Sequence, residues 1–144
     1  MQSAWHNLPT FDGVQQLPGA EYAAREVCTD KNSITAELAS AYPPIPGLTI
    51  YRRTLRVTED GITLRDETDY PGIVELTLLT EQKPVPTADG FAVGTLGGIR
   101  FDPDAATAAV TPVPITDPRL RTAWPETIYK ITLHFQKMLS LELY

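Results

Sequence analysis

Two histidines, one cysteine and a scatter of carboxylates and arginines are the groups through which this chain could do chemistry. His6 comes first: in Trp5-His6-Asn7 an imidazole and an amide stand side by side, shortly ahead of the turn pair Asp12-Gly13. Such a pair could serve a metal or a polar ligand, and a structural role is the plainer alternative. His134 falls in a period-two run, which places it on one face of a strand. Zinc takes three or four N, O or S ligands, more than two distant histidines and the lone Cys28 supply without carboxylates or outside help. Cys28 lies in a β-rich run, where a buried, inert thiol is expected. Arg52 and Arg53 are neighbours on a strand and point to opposite faces, so a buried arginine paired with Asp66 or Glu75 across strands is expected. Asp66-Glu67 and Asp69 form an acidic run near a turn. Acid–base catalysis needs two carboxylates at a set separation on one face, so this run reads as a solvated loop. Trp5, Trp124, Tyr42, Tyr51 and Tyr70 could stack on a sugar, or else fill a core or cap one end of a sandwich. There is no G-x-S-x-G elbow and no phosphate-binding glycine loop. No residue of the chain is assigned a catalytic role.

Those groups have to be positioned by elements, and the elements read as β throughout. Thirteen prolines interrupt nearly every window long enough for a helix. Short β-rich runs lie between turn signals, three of them Asp-Gly pairs at Asp12, Asp60 and Asp89. The pattern predicts strands over 4–11 and 14–17, then 22–29 and 33–41 about an Asp30-Lys31-Asn32 turn. A clear hairpin follows, 48–58 with 62–66, and 73–79 is a dense apolar strand suited to a sheet centre. Residues 83–90 read as a loop, 91–95 and 98–101 as short strands about Gly97-Gly98, and 106–115 as a proline-interrupted edge. Period-two alternation is strongest over 127–135, and 138–144 adds a last strand. The fold class is therefore all-β, a single antiparallel β-sandwich domain over 1–144, with more than two-fifths of the residues in strands and almost no α-helix.

A chain of 144 residues that is 42% hydrophobic suits one domain with its own core. The net charge is −6, with Lys and Arg dispersed, which disfavours nucleic acid and anionic membrane surfaces as partners. No apolar stretch of the ~20 residues needed for a membrane-spanning helix occurs. The first residues lack a secretory signal pattern, which fits either a cytoplasmic chain or one cut from a longer precursor. The β pattern starts within a few residues of Met1, which suggests a piece of a larger sheet.

Several stretches together resemble heparinase II/III-like polysaccharide lyases. They are Trp5-His6-Asn7-Leu8-Pro9, Asp12-Gly13-Val14-Gln15-Gln16 with Gly19, and Ala24-Arg25-Glu26-Val27. Further on come Ala41-Tyr42-Pro43, Arg52-Arg53-Thr54-Leu55, 62–66, Trp124 and Tyr129-Lys130-Ile131-Thr132-Leu133. The resemblance implies a supersandwich-like C-terminal β-domain of a larger protein, in which a helical toroid precedes the sheets. Enzymes of that family cleave uronic-acid polysaccharides by β-elimination, and the toroid supplies most of the cleft. It follows that the parent would be the lyase, with acidic polysaccharide as its partner, and this chain alone would be inactive. Some members hold zinc in the β-region through two histidines and an aspartate. His6 matches the last of these histidines, while the other two positions would precede Met1. The resemblance therefore implies a parent able to bind zinc, no cofactor held by this chain alone, and the toroid as partner. The rival from another class is a free-standing carbohydrate-binding or interaction sandwich.

Overall fold

The computed structural model describes residues 3–95 and 97–144. About half of the chain lies in strands, and the described residues contain no α-helix. Two antiparallel sheets are stacked. One has four strands in the order β1 (Pro9–Phe11), β6 (Val74–Thr80), β11 (Thr127–Phe135), β10 (Ala106–Pro114). The other has eight, and from one edge they run β2 (Arg25–Thr29), β3 (Ser33–Glu37), β4 (Tyr51–Val57), β5 (Ile62–Thr68). They continue through β12 (Met138–Leu143), β9 (Gly97–Phe101), β8 (Gly90–Val93) and β7 (Pro84–Thr87). The expected sandwich is therefore present, with β6 inside its sheet and β10 at its edge.

Local chemistry explains the turns. Asp12 and Gly13 both have positive φ, 48° and 76°, and Phe11 and Val14 exchange backbone hydrogen bonds of 3.2 and 2.9 Å across them. That is the geometry of a tight primed hairpin turn, which Asp-Gly favours. At the β2–β3 turn the Asp30 carboxylate accepts from the backbone amides of Asn32 and Ser33, both at 2.8 Å.

Four expectations about elements are corrected. The strand expected over 4–11 is only Pro9–Phe11, preceded by a single 3-10 turn at Ser3–Trp5. Between them the amide of Leu8 donates to the carbonyl of His6 at 2.7 Å, a tight reversal that stops the strand from starting earlier. The return over 14–17 shrinks to one bridge at Val14. The strand expected over 33–41 stops at Glu37, because Ala39–Ala41 closes into a 3-10 turn. The expected loop over 83–90 contains β7, whose Pro84 and Pro86 are tolerated because β7 is an edge strand.

Strand parity sets the core. Tyr51, Leu64, Leu139 and Leu141 of the larger sheet face Phe11, Val74, Leu76, Ile131 and Leu133 of the smaller one, all of them buried. The smaller sheet does not cover the whole inward face of the larger. In one row Ile34, Leu55, Leu64 and Leu141 pair across β3, β4, β5 and β12; in the next, Val57, Ile62 and Leu143 pair across β4, β5 and β12. Along these rows burial fails toward the β2 side: Ile34 and Ile62 are each 41% exposed and Val57 59%. A groove of about 540 Å³ remains there, floored by Ile34, Leu55, Val57 and Ile62 and walled by Leu78, with Asn7 and Arg53 also lining it.

Candidate functional site

The segment carrying His6 and Asn7 is held to the larger sheet by buried polar groups. Asp66 on β5 is fully buried. It accepts from Arg53 through both carboxylate oxygens, Nε to Oδ1 at 2.7 Å and Nη2 to Oδ2 at 2.6 Å. The Tyr51 hydroxyl donates to the same carboxylate at 3.0 Å. The remaining arm of the guanidinium, Nη1, donates to the carbonyl of Asn7. Two residues further on, the carbonyl of Pro9 accepts from the Tyr42 hydroxyl at 2.7 Å, with Gln16 also hydrogen-bonded to Tyr42. On the far side of β1 the Tyr70 hydroxyl donates to Asp12. Phe11 sits among these rings, its centroid 5.0 Å from Tyr42, 5.3 Å from Tyr70 and 5.5 Å from Tyr51, all edge-on.

The electrostatics follow from burial. Desolvation pushes the Tyr51 hydroxyl well above its ordinary pKa, and the adjoining Asp66 charge adds to it. Tyr42 is pushed up in the same way, again mainly by burial. For Arg53, burial works against the charge, but its hydrogen bonds to Asp66 prevail and its pKa is raised. The cluster is thus a neutralised ion pair with two protonated phenols around it, and no buried side-chain nitrogen or oxygen among the described residues lacks a partner.

What this cluster presents is the His6-Asn7 turn. Both residues are exposed, and among the described residues neither side chain makes a hydrogen bond. Three His, Cys, Asp or Glu side chains do not converge anywhere among the described residues to hold a metal ion.

The other candidates lie elsewhere. His134 is on the outer face of the smaller sheet, its Nε2 3.4 Å from Glu75, whose other oxygen is 3.4 Å from Lys130 Nζ. Lys130 in turn stands 5.6 Å from the centre of the Trp5 ring, within cation–π range. Arg52 and Arg53 do point to opposite faces: Arg52 faces outward, 3.5 Å from Glu26, while Arg53 makes the expected buried pair with Asp66.

Two expectations, for Asp66 and Cys28, are corrected here, and the alternatives left open for the aromatic residues are decided. Asp66 is not part of a solvated acidic loop, because β5 continues to Thr68 and carries it inward; Asp69 caps the backbone amides of Thr49 and Ile50, both at 2.9 Å. Tyr42, Tyr51 and Tyr70 are buried, which leaves only Trp5 and Trp124 of the five aromatic candidates at the surface. Cys28 is exposed, because β2 is the edge strand that extends past the smaller sheet. The sequence reading missed Tyr42, Tyr51, Asp12 and Gln16 as parts of one cluster. Tyr42, Asp12 and Gln16 share membership of the stretches that resemble a known family; Tyr51 lies just ahead of one of them. Comparison with known proteins returned no matching family model and no matching curated protein.

Proposed function

We propose that this chain is the C-terminal β-sandwich domain of a heparinase II/III-like polysaccharide lyase acting on uronic-acid polysaccharides by β-elimination. One observation carries the reading. Asn7, Pro9, Gln16, Tyr42, Arg53 and Asp66 come from five separate stretches that resemble that family, and they meet beside β1. A chance likeness of short segments gives no reason for them to meet. In this reading the domain supports the helical toroid and walls one side of the sugar cleft. The buried ion pair fixes the backbone of Asn7, and His6 adds one ligand to a zinc site whose other ligands belong to the preceding part of the parent. A carbohydrate-binding sandwich is less well supported, since three of the five candidate stacking rings are buried.

The test begins with the parent gene, which should encode a helical toroid ahead of this domain. The whole protein should raise the ultraviolet absorbance of unsaturated uronate from heparin, heparan sulfate or alginate, and His6→Ala should lower its zinc content. The 144-residue chain alone should produce no such signal. A parent without a helical toroid, or His6-dependent elimination by the isolated chain, overturns the proposal.

A further inference from the structure

We infer that the outer face of the four-stranded sheet, beside the Ser3–Trp5 turn, binds an oligosaccharide: Trp5 stacks on a sugar ring, and Lys130, Glu75 and His134 hydrogen-bond its hydroxyls. This deepens the reading above by naming the surface with which the domain walls the sugar cleft, and it rests on that reading for the presence of a polysaccharide. Strand parity lays the face out. Outward side chains pair across β6, β11 and β10 in three rows: Glu75, His134 and Thr107; Thr77, Thr132 and Ala109; Leu79, Lys130 and Thr111. On the β6 side the Ser3–Trp5 turn packs against the sheet and forms a step. Toward β10 the floor is made of small exposed side chains, Thr107, Ala109 and Thr111. The result is a flat shelf with an indole standing at one side.

The chemistry on the shelf is that of a sugar site. Lys130 Nζ and His134 Nε2 each lie 3.4 Å from a different oxygen of Glu75, and Lys130 also stands 5.6 Å from the centre of the Trp5 ring. Such exposed pairs add little to stability, so they exchange readily for a ligand's hydroxyls, while the pairing holds each polar head in place beforehand. Trp5 keeps 42% of its surface exposed, although indoles are usually well buried. A pyranose has an apolar C–H face and a rim of hydroxyls, so an open indole beside fixed donors and acceptors suits both. At the His134 end the shelf runs into a cavity of about 590 Å³, lined by Ile73, Thr107, His134, Gln136 and Lys137 among others. From Lys130 to His134 the strand covers ~13 Å, longer than one ring, which favours an oligosaccharide over a single sugar. Nucleic acid fits worse, because single-strand binders use a basic groove and several stacking rings, and Glu75 stands in the middle of this face. A protein partner fits worse too, because its interface needs a desolvated apolar centre, and the rows here are threonine, alanine and charged groups.

The probes are alginate hexasaccharide and cellohexaose, an uncharged chain of the same length, each titrated into the isotopically labelled 144-residue chain. At least one of them should shift the Trp5 indole resonance together with the amides of Lys130, Thr132 and His134. Trp5→Ala, at an exposed position, should stay folded and bind about tenfold more weakly or worse, whereas Trp5→Tyr, which keeps a stacking ring, should lose no more than about threefold. Glu75→Ala should weaken binding as well, since it removes the acceptor that holds Lys130 and His134. Tighter binding of the alginate probe supports the inference and assigns a sugar carboxylate to Lys130; equal binding supports it through the ring and hydroxyls alone. Absence of shifts with both probes overturns it, and so does binding that Trp5→Ala leaves unchanged. A parent that has a toroid, with a chain that binds neither probe, removes this inference alone. Trp5-dependent binding by a chain whose parent has no toroid removes only the lyase reading.

Discussion

Tyr51 and Val57 lie on the same strand and face the same way, yet Tyr51 is fully buried and Val57 is 59% exposed. Between them the strand passes from under β1 to beyond it. At the Tyr51 end the smaller sheet supplies Phe11, and a buried ion pair ties the two layers together. At the Val57 end Leu78 and Asn7 line an open groove. The difference teaches that alternation in a strand fixes which side chains face the other layer, but not whether another layer is there to meet them.

The sharpest way to break the covered end is Arg53→Ala. It leaves Asp66 fully buried without its cation, and loss of one partner of such a pair costs about 3–5 kcal/mol; a urea melt should show it. Arg52→Ala on the same strand, with its side chain 47% exposed, should cost no more than ~0.5 kcal/mol. Leu141→Ala, at a fully buried position, should cost about 2–5 kcal/mol. At the open end Val57→Thr should change stability by no more than ~0.5 kcal/mol, and equal losses for Leu141→Ala and Val57→Thr would erase the contrast.

The covered end should also set the alkaline limit. Tyr42 and Tyr51 have pKa values raised above the ordinary 10.0 by burial, so the folded chain keeps protons that the unfolded chain gives up. Their contribution is fully present below pH 10.0 and is lost as pH rises above it. The fall should reach ~1.4 kcal/mol per pH unit for each tyrosine. Tyr42→Phe should remove one proton's worth of that slope in denaturant melts taken at increasing pH. The smallest effect is expected at His6, exposed on the turn that the cluster holds: His6→Ala should shift the melt of the isolated chain by under ~0.5 kcal/mol.

Much of the architecture was legible because it rests on local chemistry. Alternation over 127–135 and the Asp12-Gly13 turn each specify a neighbour in sequence, and both elements are present. The partnership of Arg53 with Asp66 was legible for the same reason, since β4 and β5 form one hairpin. Coverage by a distant layer was not. Cys28 and Asp66 were both misplaced, the first because β2 projects past the smaller sheet, the second because a run of acids resembles a loop when its strand continues underneath. The candidate site fared likewise: His6-Asn7 could be picked out by residue type, but Arg53, which holds the Asn7 carbonyl, and Tyr42, which holds that of Pro9, come from distant parts of the chain.

The position of β12 has a consequence for how the molecule is made. It lies between β5 and β9 and pairs with both, so the larger sheet exists as two separate pieces until its final strand has been synthesised. At ~5–20 residues per second the ribosome takes several seconds to travel from β5 to β12. Throughout that interval β5 waits with one flank unpaired, a template for any other extended chain nearby. Stop codons or frameshifts that remove 138–143 would therefore leave two half-sheets with facing open edges, a product destined for chaperones or inclusion bodies instead of a slightly shortened domain.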